Sequence, residues 1–251
     1  MNRLLKIMLS ILIIYSTVIP VLAEDNVYSK YNAQELELIS ELEATDPSFD
    51  IRNGEILSIT KRIGYMTEEG FIDIEEYNSN DRGLIDPSLM SLIISVQRTQ
   101  TQQSTYDYFI FTSKAQWLSV PTVRSLDLLA IAWSDNFTMH ASDCKAYYSI
   151  LGYVSGKTQI ENTVPEAGVS YRVETSHTSN HANYPISYVV EHAYVKKINS
   201  TDTANVMTKY AHKTLTIGSL SSSITGAPSI MFSISLTGTY DTMVASTSFN
   251  Y

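Results

Sequence analysis

WLSVPTVRSLDLLAIAW, residues 117–133, holds both tryptophans of the chain, a proline, an arginine and an aspartate three residues apart, and then an uncharged apolar run. Pro121 has no N–H to give to a ladder, so the strand carrying Phe109, Phe111 and Trp117 must end before it. A new strand starts at Asp127. By the two-residue period, Leu129, Ile131 and Trp133 point to one side and Leu128, Ala130 and Ala132 to the other. A strand that is apolar on both faces needs cover on both, which puts it in the middle of a sheet. Arg124 and Asp127 flank the connection and are placed for a charge-assisted contact, with turn carbonyls as the other partner open to Arg124. Trp117, Pro121, Arg124, Asp127 and Trp133 are therefore expected to form a structural corner between two strands. A ligand site built from the same residues is the alternative.

Outward from this corner the pattern is short runs of β-branched and aromatic residues divided by polar turns. LMSLIISVQRT places Met90, Leu92, Ile94 and Val96 on one face, and it should pair antiparallel with YDYFIFTSKAQWL across the polar loop TQTQQST. FIDIEEY, AYYSILGYV, VSYRVETS, YPISYVVEHAYVKKI, ANVMTKYAHKTLTI and SIMFSISLTGTY continue the series. In the last, Ile230, Phe232, Ile234 and Leu236 alternate with Met231, Ser233, Ser235 and Thr237. Nine or so strands without long helices between them predict an all-β fold, an antiparallel β-sandwich of jelly-roll-like or similar form, with a barrel as the other closed solution. No repeat period of roughly 20 to 50 residues points to a propeller or solenoid.

The amino-terminal part differs. MNRLLK carries Arg3 and Lys6, and the apolar run IMLSILIIYSTVIPVLA follows, with Val21 and Ala23 as small residues before a cleavage point at Ala23/Glu24. That is the layout of a secretory signal peptide at 1–23, with an uncleaved anchor as the alternative. NAQELELISELEA, residues 32–44, reads as a short amphipathic helix with Leu36, Ile39 and Leu42 near one face, stopped at Asp46-Pro47. Asn53-Gly54 suits the turn of a hairpin within FDIRNGEILSITKRIGYM, and a short helix from Gly54 is the alternative. The expected division is a helical and irregular segment at 24–63 and a β-sandwich domain at 64–251.

Loss of Arg3 and Lys6 with the signal peptide turns 17 basic against 26 acidic residues into 15 against 26, a net charge of −11. That sign opposes nucleic acid and anionic lipid as general partners, and the lack of a second long apolar run predicts no membrane contact after cleavage. Cys144 is the only cysteine, so no disulfide can form within the chain. It is expected as a small buried residue.

Other constellations are weaker. His177 and His181, with His192 beyond, are the metal candidates, but four-residue spacing joins ligands on a helix, and the Ser- and Asn-rich surroundings describe a loop. His140, Asp143 and Cys144 name a nucleophile, a base and an orienting acid without anything to fix them. Asp73 and Glu75 share a strand face that suits acid–base work or calcium, and a solvated face explains them as well. There is no G-x-S-x-G, no H-E-x-x-H, no Gly-rich phosphate loop and no EF-hand loop. No cofactor and no metal are expected. Seventeen tyrosines, among them Tyr147, Tyr148, Tyr153, Tyr171, Tyr184, Tyr188, Tyr194 and Tyr210, fit strand packing with the hydroxyl at the surface, or a sugar- or protein-binding face.

The stretch W-L-x-x-P-x-x-R-x-x-D, preceded by YDYFIFTSKAQ and followed by an apolar strand ending in WSDNF, resembles a pattern in exported proteins of Gram-positive bacteria and their prophages. It spans Thr105 to about Ser155, and abundant Ser, Thr and Tyr with a single Cys agrees with it. The resemblance implies export and brings no catalytic residue. Taken together, the residues imply an exported, non-enzymatic β-sandwich that binds an extracellular or cell-surface protein or glycan. A secreted hydrolase of wall polymer or peptide, and a structural or immunity-type prophage product, are the competing classes. Amino-terminal sequencing of the secreted product should begin within a few residues of Glu24; a product starting at Met1 would make the apolar run an anchor.

Overall fold

The computed structural model describes residues 27–67, 70–74, 88–99, 108–119, 126–134, 136–198, 203–213, 219–225, 228–235 and 240–251. The expected signal peptide lies outside them, as do Glu75, Pro121, Arg124 and Leu236 and the side chains of Ile230, Phe232 and Ile234. In chain order come helix α1 (Ala33–Thr45) and strands β1 (Gly54–Thr67), β2 (Gly70–Asp73), β3 (Ser88–Thr99), β4 (Tyr108–Trp117), β5 (Leu126–Trp133), β6 (Phe137–Tyr148), β7 (Gly152–Tyr153) and β8 (Thr158–Val164). Then follow β9 (Gly168–Glu174), β10 (Ser176–Ser179), β11 (Ala182–Lys197), β12 (Thr203–Lys213), β13 (Ser219–Thr225), β14 (Ser229–Ser235) and β15 (Tyr240–Asn250). The protein is an all-β antiparallel sandwich with one short amino-terminal helix. Its first sheet runs β2-β1-β3-β4-β11-β6-β7 with β10 joined to β11, its second runs β15-β12-β5-β9-β8, and β13 pairs only with β14 among the described residues.

β5 sits between β12 and β9, as its two apolar faces require, and every residue from Asp127 to Trp133 is buried. Leu129, Ile131 and Trp133 face the space between the sheets, where they meet Met90, Leu92, Ile94 and Val96 of β3 and Phe109 and Phe111 of β4. β3 and β4 pair antiparallel as their patterns predict. The Phe111 ring lies 5.8 Å from Trp133 and 5.3 Å from Phe137, the latter edge to face. Leu128, Ala130 and Ala132 turn the other way and pack with Ala167, Ala211 and Ile224. Small residues let the layers approach: a Cβ on Gly168 would stand 2.4 Å from the Ile131 carbonyl oxygen and 2.9 Å from Ile224 Cγ2.

α1 is capped by a reciprocal pair, with the Asn32 side chain accepting from the Glu35 N–H and the Glu35 carboxylate accepting from the Asn32 N–H, both at 2.9 Å. Its buried residues are Leu38, Ile39 and Leu42; Leu38 takes the place expected for Leu36. They rest with Phe49, Ile51 and Ile56 on Ile93, on the outer side of β3.

Asn53-Gly54 is not a hairpin turn, and no helix starts there. Gly54 has φ −179° and opens β1, which pairs with β3 along its length. A Cβ at Gly54 would lie 2.2 Å from the Arg98 carbonyl oxygen, so the glycine serves a close approach of two strands rather than a left-handed turn. The boundary expected at 63/64 therefore falls inside β1. AYYSILGYV is likewise not one strand: Tyr148 ends β6 and a turn at 149–151 leads to β7.

Trp133→Ala should lower unfolding free energy by about 3 to 5 kcal/mol through the cavity it leaves. Urea titration of the purified variant measures this; a loss under about 1 kcal/mol would mean that the inter-sheet core does not depend on that side chain.

Candidate functional site

One end of the sandwich combines a buried polar floor with an exposed apolar rim. At the floor, Asp127 is fully buried on the first turn of β5 into the core. It accepts from the Tyr210 hydroxyl at 2.6 Å and from the Lys213 N–H at 3.2 Å, and His212 Nδ1 lies 2.9 Å and 3.0 Å from its two oxygens. Trp117 Nε1–H donates to the Tyr210 oxygen at 3.3 Å, and its ring meets His212 edge to face at 4.9 Å. Burial disfavours a charged His212, but the Asp127 carboxylate outweighs it and raises the imidazole above its ordinary range. Trp117, Asp127 and Trp133 are buried, and the described partners of Asp127 come from β12. Its expected partner Arg124 lies outside the described residues.

The rim follows from the same two strand ends. Leu118 and Leu126, the neighbours of Trp117 and Asp127, are exposed. Ile186 of β11 pairs with Tyr148 of β6, and the Ser149 N–H donates to the Pro185 carbonyl, so the turn at 149–151 lies at this end too. Ile150 there is 95% exposed, with Leu151 and Tyr153 exposed beside it. Ile150 has φ +70°, a conformation rare for a β-branched residue, which costs about 1 to 3 kcal/mol. The β10–β11 hairpin turns at Asn180 and His181, φ +49° and +63°, and its last four residues before Ile186 carry it roughly 13 Å past the sheet. Tyr153, Tyr147 and Tyr188 stand in a row on the outer face, the last two stacked at 4.4 Å.

The densest ionic cluster lies elsewhere, where α1 and the turn after it dock on the first sheet. His192 Nε2 meets Asp46 Oδ2 at 2.7 Å and His192 Nδ1 meets Asp143 Oδ1 at 3.1 Å, while the Tyr194 hydroxyl donates to Asp143 at 3.0 Å. Burial works against a charged ring, but the hydrogen bonds to Asp143 and Asp46 prevail and lift His192 to about 9. Nearby, Glu41 accepts from Lys61 at 2.5 Å and from the buried Lys114 at 3.0 Å, and the Tyr188 hydroxyl donates to the Thr45 carbonyl. Each charge meets its opposite, so the cluster fastens the helix to the sheet.

The other sequence candidates do not converge. His177 pairs with Tyr184 in the β10–β11 ladder, His181 is exposed at the turn, and His192 lies eight residues beyond Tyr184, roughly 26 Å along the strand. Both nitrogens of His192 already have carboxylate partners, so the three do not form a metal site; no group of three or more His, Cys, Asp or Glu suited to a metal occurs among the described residues. Cys144 faces the core while His140 lies on the outer face with its ring against Tyr108 and Tyr194, because the register shift between Tyr194 and Val195 falls opposite His140. Burial first, then the fields of Glu191 and Asp143, push the Cys144 thiol well up, the reverse of an activated thiolate. Asp73 is bound to Arg62, whose Nη1 also donates to the Val244 carbonyl. The tyrosine hydroxyls point inward more than expected: Tyr148 donates to the Glu174 carbonyl and Tyr171 meets Ser142. Sequence reasoning missed Glu191, which faces the core opposite Cys144 with both carboxyl oxygens unpartnered among the described residues; burial raises its pKa well above the ordinary carboxylate range.

No family model matches the chain, and no curated protein does. Among solved structures, one described as a pore forming protein aligns over 77% of this chain and 95% of its own at 7% identity, TM-score 0.33. Clostridium perfringens delta-toxin aligns over 79% and 93% at 9% identity, TM-score 0.33. The Clostridium perfringens NetB toxin in its membrane-inserted form aligns over 77% and 100% at 8% identity, TM-score 0.31. Likeness at this level carries no implication for activity.

The raised His192 gives a pH dependence with a definite sign. Its contribution is complete below about 6.5, the unfolded value, and disappears as pH rises through about 9, amounting to on the order of 3 kcal/mol. Urea melts of the wild type and of His192→Gln across that range test it: the advantage of the wild type over the variant should shrink as pH rises. Parallel curves would show that the imidazole is not charged in the folded protein.

Proposed function

We propose that this protein acts outside the cell as a binding protein, and that the end carrying Leu118, Leu126, Ile150, Leu151 and Tyr153 is its contact surface. The observation that supports this most is the gathering, at that one end, of five of the nine exposed large apolar side chains among the described residues. Exposed apolar side chains scattered singly need no explanation, whereas a cluster marks a place where a partner is covered. Leu118 and Leu126 adjoin Trp117 and Asp127, whose network is buried and hydrogen-bonded. Ile150 keeps an unfavourable backbone and gains no packing within the chain, a combination that a partner's pocket would repay. The titratable clusters at α1 and at Asp127 are occupied in holding the fold, which supports binding over turnover. The partner expected is a protein or glycan of the cell surface or its surroundings.

The test is capture from culture supernatant and wall fractions by the chain lacking residues 1–23, run beside the double variant Ile150→Asp, Tyr153→Ala. Both side chains are exposed, so the variant should keep its melting temperature and lose the captured partner. Equal capture by the two proteins would move the contact surface elsewhere. Hydrolysis of wall glycan or peptide by the same preparation would replace binding by catalysis.

A further inference from the structure

We propose that the outer face of the first sheet is a receptor site for an acidic amphipathic helix of a partner protein, and that α1 fills this site in the free chain. The face carries a row of residues in register across five strands. Lys61 of β1 is opposite Ile93 of β3, Ile93 opposite Lys114 of β4, Lys114 opposite Val190 of β11, and Val190 opposite Lys145 of β6. Basic and aliphatic side chains therefore alternate, and successive lysines stand two strands, roughly 9 to 10 Å, apart. His192, two residues beyond Val190, points to the same face. A chain with 17 basic against 26 acidic residues has thus set three lysines and a histidine side by side.

What covers the row has the opposite character. Residues 33–45 of α1 include four glutamates and no basic residue. Glu41 bridges two of the lysines, 2.5 Å from Lys61 Nζ and 3.0 Å from Lys114 Nζ, and Asp46, just past the helix, takes His192 at 2.7 Å. Leu38, Ile39 and Leu42 meanwhile pack on Ile93, between those two lysines. An apolar stripe in a groove, with charges matched along its sides, is a general mode by which one protein takes up a helix of another. The row also runs further than α1 uses it: Lys145 is met by Asp143 of its own strand at 3.8 Å, and its side chain stays 34% exposed.

The attachment of α1 suits exchange. Both sheets are built from Gly54 onward, so the helix can lift away without breaking a strand pair. Of the sheet, only Ile56, Ile59 and Ile93 belong to the apolar cluster beneath it. Ser91, Ser95, Thr112, Lys114 and His192, which are buried on the same face, are polar, so the uncovered face is one that water can wet. α1 also covers them imperfectly. Ser91 Oγ and Ser95 Oγ, on either side of Ile93, are buried with no partner among the described residues, and burial holds the Lys114 ammonium below its ordinary range in spite of Glu41. A partner helix with acceptors for the two hydroxyls and an acid for Lys145 would satisfy what α1 does not. The site is distinct from the end carrying Ile150 and does not rest on that reading.

A labelled peptide of residues 32–46, NAQELELISELEATD, titrated by fluorescence anisotropy into the chain lacking residues 1–23, provides the test. In the wild type the tethered helix competes and binding should be weak. Leu42→Asp loosens α1 and leaves the sheet untouched, so it should bind the peptide at least about tenfold more tightly, because the competent state is no longer a minor one. Glu41→Gln should act in the same direction by a smaller factor. The emission of Trp117 and Trp133, both in the inter-sheet core, checks that each variant keeps its sandwich. Adding Lys114→Gln to Leu42→Asp should remove the gain. Absence of peptide binding by both loosened variants, or a gain that survives Lys114→Gln, would overturn the proposal. Dimerisation of the wild type in sedimentation at the same concentrations would make a second copy the occupant and overturn the assignment to a partner protein.

Discussion

The architecture rests on one strand with two dry faces. Because Leu129, Ile131 and Trp133 must be covered on one side of β5 and Leu128, Ala130 and Ala132 on the other, the chain cannot settle for a single sheet. The larger side chains meet the first sheet across an aromatic layer in which Phe111, Phe137 and Phe249 touch one another. The alanine side accepts only something thin and close, and the β13–β14 ribbon meets that condition. β9 answers the same geometry with Gly168, where no Cβ can be accommodated. Deep packing on one side and shallow packing on the other thus follow from the sizes of six alternating residues.

Charge is used sparingly and inside. Lys114, Asp127, Glu191 and His192 are all buried, in a chain whose net charge is −9. Three of the four have partners of opposite sign or several hydrogen bonds, which is the condition under which burial is tolerable. The Asp46–His192–Asp143 bridge joins residues on three separate elements, so α1 is held on the sheet by two kinds of contact, the apolar stripe of Leu38, Ile39 and Leu42 and a charged hinge at its end. Glu191 is the exception: among the described residues neither carboxyl oxygen has a partner, and burial raises its pKa well above the ordinary carboxylate range.

What could be read in the sequence was what depends on neighbours. The alternation in LMSLIISV, the two faces of LDLLAIAW and the helix expected at 32–44 and found at 33–45, with its stop at Asp46-Pro47, depend on residues a few positions apart. What escaped depends on distance along the chain. Gly54 looks like a turn residue until Arg98 is brought against it; His192 looks like a ligand until Asp46, 146 positions away, takes its Nε2. The register shift opposite His140, which separates it from Cys144, has no sequence signature at all. One signal was available and undervalued: the adjacent pair Glu191-His192 interrupts an otherwise apolar strand, and two titratable groups so placed point to one on each face of a buried sheet. That is where they lie.

The position of β11 has a consequence for how the chain comes to be folded. It is an interior strand of the first sheet, flanked by β4 and β6, yet it is among the later strands to be synthesised. Until residue 197 has emerged, β4 and β6 have no common neighbour, and the inner faces of Phe109, Phe111 and Cys144 cannot be closed off. Contacts of such long range make for slow folding, since loop closure must precede any gain from pairing. The first sheet can therefore be completed only late in synthesis, and with a single cysteine its completion waits on strand pairing alone and on no disulfide within the chain.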